Sequence, residues 1–246
     1  MDVHDTNYDK EQKRLLCIDK VEQLKVYIKN YAQTDNTAYL KCSYVCVNST
    51  MFRGCLHPSP VIDLIVGNIK RGRKLRGDIF NDKLSYRYLF DENDCLMRIE
   101  NIYLGKKTYV EDLIYTENTR IGITTFDGSI HSICEEIFKD GRIVSVAIML
   151  CLDIGHEEPA YNLHWEEYAY NDKGLCFCDF VTNYIYGYAP FSYSQYTFNV
   201  RDGLIKSYTS RGGRQYNVTK IRDAQGKGFY FPCKKIQQSK NVDLLK

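Results

Sequence analysis

The stretch Ile133-Cys-Glu-Glu-Ile-Phe-Lys-Asp-Gly-Arg-Ile-Val-Ser-Val-Ala-Ile-Met-Leu150 decides how the chain is read. It has an apolar arm, a Lys139-Asp140-Gly141 break and an aliphatic arm. Asp-Gly supplies the positive φ that a tight hairpin turn requires, and a β-branched, aromatic run on each side is strand-like. One such ribbon cannot bury its own face, so it needs neighbours.

The same phrase recurs on both sides. Upstream stand SYRYLF-DEND-CLMRIENI (85–102) and EDLIY-TENT-RIGITTF (111–126). Downstream stand HWEEYAY-NDKG-LCFCDFV (164–181), QYTFNV-RDG-LIKSY (195–208) and a weaker YNVTKI-RDAQG-KGFYF (216–231). Tyr86, Tyr88 and Phe90 alternate along the chain, as do Tyr196, Phe198 and Val200, so each set shares one strand face. The expected fold is mainly β: an antiparallel meander of repeated β-hairpins, forming a curled sheet, barrel or sandwich, with an N-terminal helix. Dyad alternation and Asp-Gly turns disfavour helix over 84–231.

The phrase Tyr-x-[Tyr/Phe], Asp-containing turn, Gly-[Leu/Ile] resembles the YD (RHS-type) repeat. Its closest copies are Tyr168-Ala-Tyr-Asn-Asp-Lys-Gly-Leu175 and Tyr196-Thr-Phe-Asn-Val-Arg-Asp-Gly-Leu204. The resemblance covers about residues 85–231 and implies hairpin repetition. The family's Arg after the aliphatic strand is absent, and the periods are uneven. In texture the chain is similar to cytosolic proteins of Firmicute-type bacteria, some of them immunity partners of polymorphic or contact-dependent toxins. No diagnostic motif carries that second likeness.

The N-terminal third reads differently. Residues 8–31 predict a helix, with Leu15, Ile18, Val21, Leu24 and Ile28 at three- and four-residue steps and Thr6 or Asn7 as its cap. Residues 38–47 read as a strand, 51–60 as a loop and 61–69 as a short apolar element. The division is 1–76, helix plus strand segment, and 77–246, hairpin repeats, either as two lobes or as one continuous domain. Lys70, Arg71, Arg73, Lys74 and Arg76 form a basic run that reads as a solvated face or as an anion or partner contact.

Composition narrows the function classes. Of the 246 residues, 33 are Lys or Arg and 31 are Asp or Glu, a formal charge of +2 that disfavours a dedicated nucleic-acid binder. The chain carries 21 Tyr but 1 Trp and 5 Pro, a bias toward half-buried pleated surface. Its ten cysteines contain no CxxC pair. Together with a polar N-terminus lacking an apolar signal region, they predict reduced thiols in a cytoplasmic protein. No run approaches the ~18 apolar residues of a membrane-spanning helix, and no membrane association is expected.

No nucleophile elbow, zinc-protease helix, P-loop or dinucleotide fingerprint is present. Cys55 and His57 form the one suggestive local pair and read as loop packing or as a nucleophile with its base. The His156-Glu157-Glu158 and His164 region reads as a surface loop rather than a metal site. No catalytic residue, metal or cofactor is expected.

Aromatic and acidic residues supply the recognition candidates: Trp165, Glu166 and Glu167, and Tyr184, Tyr186, Tyr188 and Tyr193 of the tyrosine-rich stretch 183–196. Trp165 and Glu167 fall on one strand face, with His164 and Glu166 on the other. The resulting expectation is a non-catalytic protein-binding protein, an immunity protein neutralising a cognate bacterial toxin by occlusion. The alternatives are a small-molecule or nucleotide-processing enzyme using Cys55, His57 and residues 70–76, and a carbohydrate-binding repeat protein.

Overall fold

The structure is a computed structural model. It describes residues 6–31, 41–45, 85–93, 95–104, 106–152, 160–172, 174–184, 191–201, 204–210 and 213–223. Helix α1 (Thr6–Asn30) precedes strands β1 (Lys41–Val45), β2 (Ser85–Phe90), β3 (Leu96–Tyr103), β4 (Lys106–Tyr115), β5 (Thr119–Phe126) and β6 (Ser129–Lys139). Strands β7 (Arg142–Leu152), β8 (Ala160–Asn171), β9 (Gly174–Tyr184), β10 (Ser192–Arg201), β11 (Leu204–Ser210) and β12 (Gln215–Asp223) follow. They form one twelve-stranded sheet in strict sequence order, every neighbouring pair antiparallel. The mainly β meander with an N-terminal helix is therefore borne out, as one sheet that does not close.

Five of the six repeated phrases are hairpins, β2–β3, β4–β5, β6–β7, β8–β9 and β10–β11; the second arm of the sixth, 216–231, lies outside the described residues. In the deciding stretch Lys139 pairs with Arg142 around Asp140 (φ 51°) and Gly141 (φ 70°). Register shifts in β2–β3, β3–β4, β5–β6, β6–β7, β8–β9, β10–β11 and β11–β12 add twist.

Both faces are buried. On one face, Ile123, Ile133, Met149 and Leu163 pair directly across β5 to β8 and are at most 1% exposed. Helix α1 covers this row with Cys17, Val21 and Leu24. Full burial of a Val or Leu side chain contributes about 1.5–3 kcal/mol. The opposite face holds one continuous apolar cluster that runs from Tyr86 and Tyr88 on β2 to Ile205 and Tyr208 on β11.

The helix meets the sheet through part of the stripe that its sequence marks: Val21 and Leu24 are buried, and Ile28 packs against the same cluster. Leu15 and Ile18 face outward, 48% and 37% exposed, as do Leu16 and Val26. Each residue turns a helix by about 100°, so Leu15 and Leu24, nine apart, lie on opposite sides. Successive three-residue steps drift around the axis. The inward stripe is Lys13, Cys17, Lys20, Val21, Leu24, Tyr27, Ile28 and Tyr31.

Charged and aromatic pairs supply what that stripe lacks in apolar area. Lys13 Nζ donates to Glu167 Oε2 at 2.8 Å, Lys20 pairs with the buried Glu135, and Tyr31 Oη donates to Asp112 Oδ2 at 2.6 Å. Asp112 in turn accepts both Nε and an Nη of Arg98. Lys10, Lys20 and Lys25 stand 6.0, 5.8 and 4.7 Å from the rings of Phe191, Trp165 and Tyr161. These are cation–π contacts, worth about 0.5–1 kcal/mol each where exposed.

Candidate binding surface

Trp165, Glu166 and Glu167 do not share a surface. Trp165 points under α1, where its Nε1 donates to Ser145 Oγ at 2.9 Å. Glu167 is on the same face and is held by Lys13. Glu166 faces the other way with 0% exposure, bound by the Tyr168 hydroxyl and by His164 Nε2 at 2.7 Å. The strand's alternation separates them, and burial on both faces withdraws Glu166 from any docking role. Tyr193 packs against the helix-covered cluster, and its hydroxyl accepts Gln195 Nε2 at 2.5 Å. Tyr184 ends β9, opposite Asn162.

Tyr186, Tyr188, Lys70, Arg71, Arg73, Lys74, Arg76, Cys55, His57 and the His156–Glu158 segment lie outside the described residues. Cys17, Cys95, Cys134, Cys151 and Cys178 are buried and form no disulfide. Burial pushes Cys17 up to about 12 and Cys151 up to about 11, so both remain thiols at neutral pH. Among the described residues no group of three or more His, Cys, Asp and Glu could hold a metal ion. No described helix is long and apolar enough to cross a membrane.

The second face carries ionic groups at its centre. Tyr115, Arg120, Glu136, Val146 and Glu166 pair in one row across β4 to β8. Arg120 and Glu136 form an ion pair at 1% and 0% exposure. Burial raises the Glu136 carboxyl above its ordinary range, and the Arg120 charge opposes that rise. Tyr115 Oη donates to the Leu96 carbonyl at 2.5 Å. This row is an internal polar brace enclosed by the cluster around it.

Exposed apolar surface lies elsewhere. Among the described residues, besides the outer side of α1, it comprises Tyr103 (51%), Leu104 (57%) and Phe126 (46%). In an antiparallel meander alternate connections fall at the same end, which places the β3–β4 and β5–β6 turns side by side. Asn101, Tyr109 and Phe126 pair in one row. The Tyr109 ring lies 4.8 Å from Phe126 and 5.2 Å from His131. These residues escape a repeat-based reading, because their turns join one repeat to the next. The signal for one of them, Asp127-Gly128, is nevertheless visible in the sequence.

Leu104 departs from local rules. It adopts φ 48°, and the turn is closed by Tyr103 opposite Lys106. At the same position in the β5–β6 and β6–β7 turns, φ 49° and 51° are carried by Asp127 and Asp140. Asp and Asn tolerate this left-handed region, whereas a branched side chain costs roughly 1–2 kcal/mol there. At 57% exposure Leu104 recovers little of that by packing. Leu104→Asn is therefore expected to stabilise the fold by about 1 kcal/mol, read as a rise of about 2–4 °C in thermal midpoint. An unchanged or lower midpoint would show that the turn is not strained.

No family model matches the chain, and no curated protein matches its sequence.

Proposed function

We propose that this chain is a non-catalytic protein-binding scaffold, an immunity protein that neutralises a bacterial toxin domain by covering it. The observation that carries the reading is where apolar side chains remain exposed. The sheet is packed on both faces, yet Tyr103, Leu104 and Phe126 protrude at neighbouring hairpin ends. Rigid aromatic and aliphatic projections on a packed scaffold suit protein contact, since little side-chain entropy is lost on binding. Buried thiols and an enclosed ionic brace are consistent with a passive role. The resemblance to YD-type repeats and the texture of toxin-associated proteins supply the class of partner.

The test is co-expression with any toxin domain found encoded beside its own gene. The expected result is a stable complex on gel filtration and restored growth of cells producing the toxin. Separate elution of the two proteins, with no protection, would refute the proposal.

A further inference from the structure

We infer that α1 is a strap: it lifts from the sheet as a unit while the strands stay folded, and ionic clamps along its inner side set how often it does so. This device is independent of what the hairpin tips contact.

The two faces of the sheet are closed by different means. Among the described residues, the face around Tyr88 and Val146 is packed by strands, with buried apolar side chains from β2 to β11. The other face is closed by α1, which contributes Cys17, Val21 and Leu24 as its buried apolar side chains. Between and beside these the contacts are ionic or cation–π. Lys13 meets Glu167. Lys20 meets Glu135, which also accepts the Tyr27 hydroxyl at 3.5 Å. Lys10, Lys20 and Lys25 stand over the rings of Phe191, Trp165 and Tyr161.

Such contacts open more readily than apolar ones of the same extent. Separating Lys20 from Glu135 returns both groups to water and recovers the solvation that burial removed. Separating two apolar side chains recovers none. A segment with few buried apolar contacts is where sub-global opening begins. The outer side of α1 leaves Leu15, Leu16, Ile18 and Val26 exposed, so it adds little to the hold. Tyr31, one residue past the helix, is bound to Asp112 and makes that end the pivot. Lifting uncovers the apolar row Ile123, Ile133, Met149 and Leu163, and ionic conditions gate access to it.

Buried thiols report the motion. Cys17 lies on the inner side of α1, and Cys151 lies in the covered cluster opposite Tyr161. Cys134 and Cys178 belong to the cluster on the other face. The test is alkylation of the full chain by N-ethylmaleimide at about pH 8, where an uncovered thiol reacts. Each site is read by mass spectrometry and normalised to the same thiol in the unfolded chain. Cys17 and Cys151 are expected to react together, about ten-fold or more faster than Cys134 and Cys178. Raising the salt to about 0.5 M should speed the first pair a further three-fold or so and leave the second pair unchanged. Lys20→Met strands the Glu135 carboxylate and should speed Cys17 and Cys151 about ten-fold or more. Lys20→Met with Glu135→Leu removes both charges and should return them to within about three-fold of wild type. The wild-type comparison decides the matter even where a variant does not fold. Equal rates at all four cysteines would show that α1 opens only with the whole fold, and the strap would be excluded. Fast reaction of Cys17 without Cys151 would mean fraying of the helix and would exclude it equally.

Discussion

Arg120→Met alone is expected to destabilise the protein by about 3–5 kcal/mol, because it strands a carboxylate in an apolar interior. Glu136 has 0% exposure and faces Arg120 directly across β5 and β6. Glu136→Leu alone strands the guanidinium instead and should cost a similar amount. The double variant removes both desolvated charges and fills the space with apolar atoms. It should lie within about 1 kcal/mol of wild type, or above it. A double-mutant cycle by chemical denaturation separates this result from simple loss of packing, in which the two costs would add.

The same pair sets a pH dependence. The folded Glu136 carboxyl binds its proton more tightly than the unfolded one, whose value is the ordinary 4.5. Above 4.5 the native state then holds more protons than the unfolded state. This group's contribution accordingly falls as pH rises from 4.5 toward the folded value, and it is flat below. The double variant should lose that component of the pH slope. Retention of the full slope would assign it to other groups.

Leu24→Ala is expected to cost about 2–5 kcal/mol, while Leu15→Ala should change stability by no more than about 0.5 kcal/mol. Both are leucines of one helix, nine residues apart. Leu24 is 0% exposed beneath α1, and Leu15 is 48% exposed above it. Equal costs would mean that α1 sits on the sheet in another rotation. Paired thermal melts of the two variants decide the matter.

The hairpins were legible because turn chemistry is local. Asp140-Gly141 makes its turn from the φ preferences of two adjacent residues, and the flanking alternation fixes which residues share a face. The helix span was legible for a similar reason, since its spacing and its missing breakers are local properties. The inward face of α1 was legible only in part, through Val21, Leu24 and Ile28. Its sheet-facing residues include Lys13 and Lys20, which pattern reading places in solvent, and both find carboxylates on strands more than a hundred residues away.

Glu166 shows the same limit. A Glu flanked by Trp165 and Glu167 reads as surface, yet it is enclosed, because the sheet is packed on both faces and not on one. Leu104 is the converse case. It reads as an ordinary apolar residue, and only its backbone angle and exposure mark it out.

By itself the sequence determined the β-ribbon repeat, its turns and the one long helix, since each depends on contacts between near neighbours along the chain. Tertiary structure alone decided which side of the helix is covered, that acids and two arginines lie inside, and that apolar tips remain outside. Those outcomes depend on what distant strands bring to one place, and side-chain hydropathy carries no record of that.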